Sequence, residues 1–465
     1  MQKFLVFLIL LFPKSALAMQ GLPAASMGLG WCLPFMGILF SLALMPLTFP
    51  KFWHHHYGKL ILGYCFLYII PAVKFFSFQV VGHEILHVLV TEYVPFIILI
   101  SSLFVATGGI HLFANWHGTP KSNTLILLSG TFIASIIGTT GASMLLIRPI
   151  IRANAWRQHT MHTVIIFIFL VANIGGALTP LGDPPLFLGF LEGVPFFWPT
   201  THLFLPMFLL SSCILGFYYF LDTHFYKKET EESPYKTMHS VSRIKFEGRR
   251  NFYFLGGIIA GVLLSGFWHP GISFDLFGVE VQIENLLRDV ILLLMTLLSL
   301  VTTKTKVRQS NHFSWDPLIE VVKIFFGIFV TVSPVIAILK AGHDGALKGF
   351  MEMVTQNDQP FNPAYFWLTG LFSSFLDNAP TYYVFFYMAG GNVAELTSSL
   401  STTLTAISTG AVFMGAVTYI GNAPNFMVKS IAEKRGIKMP SFFGYMAWSV
   451  GILVPLFLLI TFVFF

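Results

Sequence analysis

Long apolar runs separated by short polar loops fill most of the chain. About 20 consecutive apolar residues suffice to cross the hydrocarbon core of a bilayer. The pattern therefore predicts an all-α protein that passes through a membrane many times, preceded at residues 1–18 by a signal peptide or an N-terminal anchor. Twelve apolar segments follow, at about residues 29–49, 60–80, 92–113, 123–147, 160–198, 203–221, 251–268, 285–303, 317–340, 363–390, 402–430 and 441–464.

The composition agrees with a membrane protein and excludes two other classes. Apolar residues make up 55% of the 465 residues and charged residues 10%, against about 25% charged in an ordinary soluble domain. No polar stretch is long enough for a separate soluble enzyme domain. The net charge of +6 comes from basic residues in short loops, where they set membrane orientation, so we expect no nucleic-acid partner.

The distribution of basic residues predicts two re-entrant hairpins. Cytoplasmic loops of membrane proteins carry an excess of lysine and arginine. All basic loops can lie in the cytoplasm only if segment 123–147 enters and leaves on that side and segment 363–390 enters and leaves on the outer side. The other ten segments then cross the membrane. Two of them, 160–198 and 402–430, contain glycine, proline and asparagine residues that predict broken helices.

The chain also contains an internal repeat. A constant shift of 239 residues places Ser135 on Ser374, and residues 176–185 on residues 415–424 with five identities in ten. The halves are predicted at 19–221 and 251–465, joined by a cytoplasmic linker at 222–250. Because the two hairpins open to opposite sides, the repeats have inverted topology. Secondary transporters with this plan bind their substrates near the bilayer midplane, between broken helices.

Two carboxylates lie at the predicted breaks, Asp183 in segment 160–198 and Asp377 at the second hairpin. Carboxylates inside a membrane are costly and usually belong to ion or proton pathways. Removal from water favours the protonated carboxylate, so a proton and Na⁺ can compete for one site. Oxygen atoms near the breaks are the predicted further ligands of this ion: those of Thr139, Thr140, Ser143, Asn173, Thr179, Asn378, Thr418 and Asn422.

The two aspartates have an alternative, structural role. Asp183 precedes Pro184, and Asp377 lies three residues before Pro380, so each carboxylate can cap the N-terminus of a half-helix. Capping and ion binding are compatible. The Na⁺ site at Asp183 and Asp377 is the hypothesis that we carry forward.

His83, Glu84 and His87 have the spacing of a zinc metalloprotease motif. A zinc site needs a third protein ligand, and the candidate, Asp344, lies at the predicted outer end of a later span. The motif itself falls in a predicted outer connection before Tyr93. We therefore expect no zinc at His83 and His87, and no cofactor.

Four motifs resemble the ion transporter superfamily, in particular the sodium/proton antiporters of the NhaD type and their citrate transporter relatives. They lie at residues 138–144, 173–185, 375–381 and 419–425. The resemblance covers about residues 90–465 and implies two inverted repeats, each with a hairpin that moves to alternate access. It further implies a bacterial inner-membrane location and a homodimer. Dicarboxylate carriers of this superfamily have Ser-Asn-Thr at both hairpin tips, whereas these tips begin with Gly138 and Asp377.

The sequence thus predicts a transporter rather than an enzyme. Exchange of Na⁺ or Li⁺ for protons is favoured because a free anion would face Asp183 and Asp377 without a nearby arginine or lysine. A proton- or sodium-coupled carrier of citrate, a dicarboxylate or another anion is the alternative. A zinc intramembrane protease that uses His83, Glu84 and His87 is the remote alternative.

Overall fold

Helices account for almost all regular structure in the computed structural model, which describes residues 27–114, 116–229, 244–311, 313–357 and 359–465. The predicted signal peptide at 1–18 lies outside these residues. In the described part, nine helical elements are long and apolar enough to cross a membrane, and the fold is that of an all-α polytopic membrane protein. These elements are Leu29–Pro46, Pro50–Phe76, Phe78–Gly108, Met161–Leu178, Trp198–Tyr226, Arg250–Phe267, Ile283–Thr302, Asp316–Lys340 and Phe442–Phe464.

Two of the predicted spans have different limits in the structure. The segment predicted at 60–80 is a helix from Pro50 to Phe76, because Pro50 suits a first helical turn and the following histidines lie on its exposed end. The segment predicted at 92–113 begins at Phe78, in a helix Phe78–Val88 that continues through a π-helical turn, Leu89–Tyr93, into the helix Val94–Gly108. The predicted outer connection before Tyr93 is therefore helical.

Both predicted re-entrant hairpins are present. The first hairpin consists of helices Pro120–Ile137 and Thr139–Ala153, with Gly138 at its tip. Its two ends lie side by side, because the Gly118 N–H donates to the Ala153 carbonyl at 3.1 Å and the side-chain amides of Asn123 and Asn154 bond reciprocally at 2.9 Å. The two arms of this hairpin therefore run antiparallel, and its ends meet.

The second hairpin consists of helices Asn362–Leu376 and Asn378–Met388, with Asp377 at its tip. The Tyr365 hydroxyl donates to the Met388 carbonyl at 3.3 Å and joins the two ends. The second hairpin therefore has the same form as the first.

Each half also contains a broken helix, as the glycine and proline pattern predicts. The first broken helix consists of Met161–Leu170, a 3₁₀ turn Ile174–Leu178, and Pro184–Leu191. The second broken helix consists of Ser401–Met414, a 3₁₀ turn Gly415–Val417, and Ala423–Lys434. The returning arm of each hairpin packs against the last helix of the other repeat's broken helix. The four breaks are thereby brought together.

Three short antiparallel strand pairs lie outside the helices. Strands β1 (His111–Ala114) and β2 (Ile244–Glu247) pair with each other. Strands β3 (Ser273–Leu276) and β4 (Val279–Gln282) form one small hairpin, and β5 (Thr355–Gln356) and β6 (Gln359–Pro360) form another. The remaining short helical elements are Thr305–Ser310, Gly342–Asp344, Lys348–Glu352 and Val393–Leu396.

The segment predicted as a linker at 222–250 is partly built into the fold. The helix Trp198–Tyr226 extends into it, and β2 anchors its end to β1 of the first half. Residues 230–243 lie outside the described residues.

A buried ion pair fixes the base of the first hairpin. The Arg157 guanidinium donates to the Asp222 carboxylate at 2.6 Å, and both side chains are inaccessible to solvent. The same carboxylate bonds His162 at 2.8 Å and accepts from the Asn123 amide at 3.1 Å. The first hairpin is therefore attached to the helix Trp198–Tyr226 through charged and amide groups.

We predict that Arg157→Ala lowers the free energy of unfolding by about 3–5 kcal/mol, because it leaves the Asp222 carboxylate buried without its main counter-charge. Denaturant unfolding of the purified protein in detergent measures this loss. The matched control is Lys348→Ala, since Lys348 pairs with Glu352 at 3.9 Å on the surface. A solvent-exposed pair of this kind contributes about 0–1 kcal/mol. Equal losses in the two variants would contradict a structural role for the buried pair.

Candidate functional site

The two hairpin tips are equivalent in sequence and in backbone conformation. Asp377 stands 239 residues after Gly138, and the two residues have φ/ψ angles of 84°/139° and 83°/150°. This region is essentially reserved for glycine, and another residue there carries strain on the order of 1–3 kcal/mol. Asp377 therefore occupies a position where glycine would be the relaxed choice. Strained residues of this kind concentrate at functional sites.

Equivalent hydroxyl groups join each hairpin to the broken helix of its own repeat. The Ser135 hydroxyl donates to the Gly175 carbonyl at 2.5 Å, and Ser374 donates to the Met414 carbonyl at 2.9 Å. In return, Thr179 donates to the Ser135 carbonyl and Thr418 to the Ser374 carbonyl. These four hydrogen bonds form two equivalent pairs, each related by the 239-residue shift. The repeat predicted from sequence is thus also a repeat of hydrogen bonds.

Asp183 lies where the two repeats meet. Its side chain is 2% exposed. The Thr139 hydroxyl of the first hairpin donates to Oδ1 at 3.0 Å, and the Asn378 amide of the second hairpin donates to Oδ2. The Asn422 amide of the second broken helix donates to Oδ1 at 3.1 Å. The carboxylate therefore receives neutral donors from both hairpin tips and from its own repeat equivalent.

The capping alternative is wrong for Asp183 and right for Asp377. The Asp183 side chain makes no capping hydrogen bond to the helix Pro184–Leu191, because its oxygens face the hairpin tips instead. The half-buried Asp377 accepts from the Ala379 N–H at 3.3 Å, as an N-capping residue does. In the part of the chain that the structure describes, no lysine, arginine or histidine forms an ion pair with either carboxylate.

Three predicted ligands carry a buried oxygen atom that no hydrogen bond uses: Ser143 Oγ, Asn173 Oδ1 and Asn378 Oδ1. Unused buried acceptors are rare in folded proteins and call for an explanation. Asn378 is also a donor to Asp183. A Cβ atom added at Gly415 would lie 3.0 Å from Asn173 Oδ1, so the glycine leaves that oxygen open. These three oxygen atoms therefore have no hydrogen-bond partner in the part of the chain that the structure describes.

The structure does not bring every predicted ligand to the carboxylate. Thr179 and Thr418 direct their hydroxyl hydrogens to the hairpin backbone, which gives them a structural role. Thr140 is half-buried beside the first tip. Asn173 donates to the Asn425 side chain at 2.7 Å, a contact between the two broken helices.

Sequence reasoning missed Asn425. Its amide donates to the carbonyls of Gly415 at 2.8 Å and Thr418 at 2.9 Å, and so satisfies the broken backbone of its own repeat. The available signal was its place three residues after Asn422, directly behind the second break. That position indicated a polar residue next to free carbonyl groups.

The zinc alternative gains no support from the described residues. His83 and Glu84 lie in the helix Phe78–Val88, and the His83 ring donates from Nε2 to the Gly278 carbonyl at 3.0 Å. Asp344 is exposed in a 3₁₀ turn. Among the described side chains, no three of the histidine, cysteine, aspartate or glutamate type are grouped so that they could hold a metal.

We predict that Asp377→Gly preserves or raises the unfolding midpoint, because glycine relieves the backbone strain at φ 84° and this gain offsets the loss of the capping contact to the Ala379 N–H. Asp377→Ala loses the same hydrogen bond but keeps the strained backbone conformation, so it should be less stable than Asp377→Gly. Thermal unfolding in detergent measures both. An Asp377→Gly variant that unfolds at a clearly lower temperature than the wild type would show that the carboxylate itself stabilises the tip, and an Asp377→Ala variant at least as stable as Asp377→Gly would contradict the backbone strain.

A comparison with protein families places these features in context. The family model described as "Putative citrate transport" matches residues 24–465, nearly the full length of the chain. A search of curated proteins finds no match. The chain belongs to this putative citrate transport family, and is accordingly a multi-pass membrane protein of a transporter type.

Proposed function

We propose that this family member is a secondary carrier of the bacterial inner membrane that exchanges Na⁺ or Li⁺ for protons, with Asp183 and Asp377 as the exchangeable charges. One observation carries the proposal. The Asp183 carboxylate is buried among neutral donors at the junction of both hairpin tips, without a cationic partner among the described residues. A carboxyl group buried in this way is stable when it is protonated or when a bound cation balances the charge of its carboxylate form.

The surrounding oxygen atoms suit a small hard cation. Such ions take carboxylate, amide and hydroxyl oxygens as ligands. The unused oxygens of Ser143, Asn173 and Asn378 supply the neutral ligands, and Asp183 supplies the charge. Protonation of Asp183 removes that charge and releases the ion. Competition between a proton and Na⁺ at one carboxylate couples their transport.

The inverted hairpins provide a route for alternating access. Each tip contributes one group to Asp183, Thr139 from the first hairpin and Asn378 from the second. Because the hairpins are predicted to open toward opposite sides, displacement of one tip at a time exposes the same site to one side and then to the other.

Citrate transport is the second candidate, and the family match favours it. Free citrate carries up to three negative charges and would meet Asp183 and Asp377 without a basic partner. A citrate carrier with this site therefore needs a co-transported cation or proton at the aspartates. Asp183 keeps its role as the coupling residue in this case.

We predict that, in proteoliposomes with an imposed pH gradient, added Na⁺ collapses the gradient and that Asp183→Asn reduces this activity at least tenfold. The reason is that asparagine removes the exchangeable charge. A pH-sensitive dye reports the collapse. The matched control is Asp316→Asn, an exposed aspartate in the first turn of the helix Asp316–Lys340, which should transport normally.

Uptake of labelled citrate in the same vesicles separates the two candidates. Citrate uptake that needs Asp183, without gradient collapse by Na⁺ alone, would establish the carrier and overturn the exchanger. Activity of Asp183→Asn equal to that of Asp316→Asn would overturn both.

A further inference from the structure

A cavity of about 780 Å³ that no residue of the Asp183 site lines contains several charged side chains. It is lined by the helix Phe78–Val88, the π-helical turn Leu89–Tyr93, the end of the helix Pro184–Leu191, the returning arm of the second hairpin, the last turns of the helix Asp316–Lys340, and strand β4 with the start of the helix Ile283–Thr302. The basic-loop pattern predicts that this end of the helix Asp316–Lys340 is external. The side chains of His83, Glu84 and His87 line this cavity, whereas Glu92, Glu192, Ser333 and Tyr383 line it without a role predicted from the sequence.

Glu192 is held in this cavity by two tyrosines. It follows the helix Pro184–Leu191, and the hydroxyls of Tyr383 and Tyr387 donate to its two carboxylate oxygens at 2.6 Å each. The two tyrosines lie one turn apart on the returning arm of the second hairpin. The contact thus fixes the orientation of the carboxylate toward that arm.

Glu92 is the second carboxylate of the cavity and lies in the π-helical turn. Its Oε2 atom is buried without a hydrogen-bond partner. Single π-helical turns inside α-helices are rare, and many of the known ones lie at functional sites. A buried carboxylate oxygen without a donor is costly unless a ligand completes it.

Ser333 gives an independent indication of a ligand. Its side chain is 3% exposed, its hydroxyl has no hydrogen-bond partner, and it lines the same cavity. Phe329, one helical turn earlier, contacts the rings of Tyr93 at 6.0 Å and Tyr383 at 6.4 Å. Ser333 therefore lies one helical turn from these ring contacts, and it lines the cavity together with Glu92 and Tyr383.

The charges of the cavity favour a cation. Its acidic side chains are Glu84, Glu92, Glu192, Glu280 and Asp289. The cavity has two basic side chains, Arg288 and Lys340. Arg288 is already paired with Asp289 at 2.8 Å, and the Lys340 ammonium lies 4.6 Å from the Tyr387 ring centre. His83 and His87 line the cavity as well. An excess of negative charge in a cleft raises the local concentration of cations.

We propose that Glu92, Glu192, Ser333 and Tyr383 form a second Na⁺ site, which receives the ion from outside before it reaches Asp183. This inference rests on the proposed function, because the ion is the one that Asp183 binds. Tyr383 lies five residues after Asn378 on one helix, about 7.5 Å along its axis. Asp183 and Glu192 flank the two ends of the helix Pro184–Leu191 that packs beside it.

Binding of labelled ²²Na⁺ to the purified protein in detergent tests this site. We expect two ions per chain in the wild type. Glu92→Gln combined with Glu192→Gln should lose one of them, or bind it at least tenfold more weakly, and keep the other. Asp183→Asn should show the opposite loss. The matched control is Glu352→Gln, an exposed glutamate outside the cavity, which should bind two ions.

The other possible results of this binding experiment separate failure of the outer site from failure of the proposed function. If the double variant still binds two ions, the outer site does not exist, whereas loss of an ion in Asp183→Asn would leave the proposed function intact. A wild type that binds one ion, lost only in Asp183→Asn, overturns the inference alone. A wild type that binds no Na⁺ overturns both. An equal loss in Glu352→Gln would assign the effect to general charge and overturn the site, and gel filtration of each variant confirms folding.

Discussion

A helix that breaks inside a membrane must find partners for its free N–H and carbonyl groups within the protein. Here several of the partners come from the hairpin of the same repeat, and Asn425 supplies others in the second repeat. Ser135 donates to the Gly175 carbonyl, Ser374 donates to the Met414 carbonyl, and the Thr139 N–H at the first tip donates to the Gly182 carbonyl at 2.8 Å. Hairpin and broken helix are therefore one hydrogen-bonded unit, used twice.

The two carboxylates lie at positions where the two units differ in sequence. Asp183 and Asn422 are equivalent positions, and they bond each other at 3.1 Å, so the pseudo-twofold axis passes between them. Two aspartates there would place like charges in contact. The second acid instead occupies the other pair of equivalent positions, as Asp377 opposite Gly138. One carboxylate from each repeat thus reaches the centre, and a neutral residue stands at each equivalent position.

Local sequence predicted the fold and the main carboxylate because these depend on short-range patterns. Apolar length gave the spans, glycine and proline gave the breaks, and the 239-residue shift placed Asp183 opposite Asn422. The contacts of the predicted ligands were harder to foresee, since Thr179 and Thr418 donate to backbone that is 44 residues away. The cross-repeat contact of Asn173 with Asn425, the buried pair of Arg157 with Asp222, and the tyrosines on Glu192 join distant segments. Contacts between distant segments leave no periodic pattern in the sequence, so they could not be predicted from it.

The returning arm of the second hairpin links the two proposed ion sites. It carries Asn378, which donates to Asp183, and also Tyr383 and Tyr387, which hold Glu192. Both acceptors belong to residues flanking the helix Pro184–Leu191. A rigid displacement of the arm relative to that helix by more than hydrogen-bond length therefore affects both sets of bonds. An ion that stabilises one arrangement at the outer cavity must then alter affinity at Asp183, and by thermodynamic linkage the reverse holds with the same free energy.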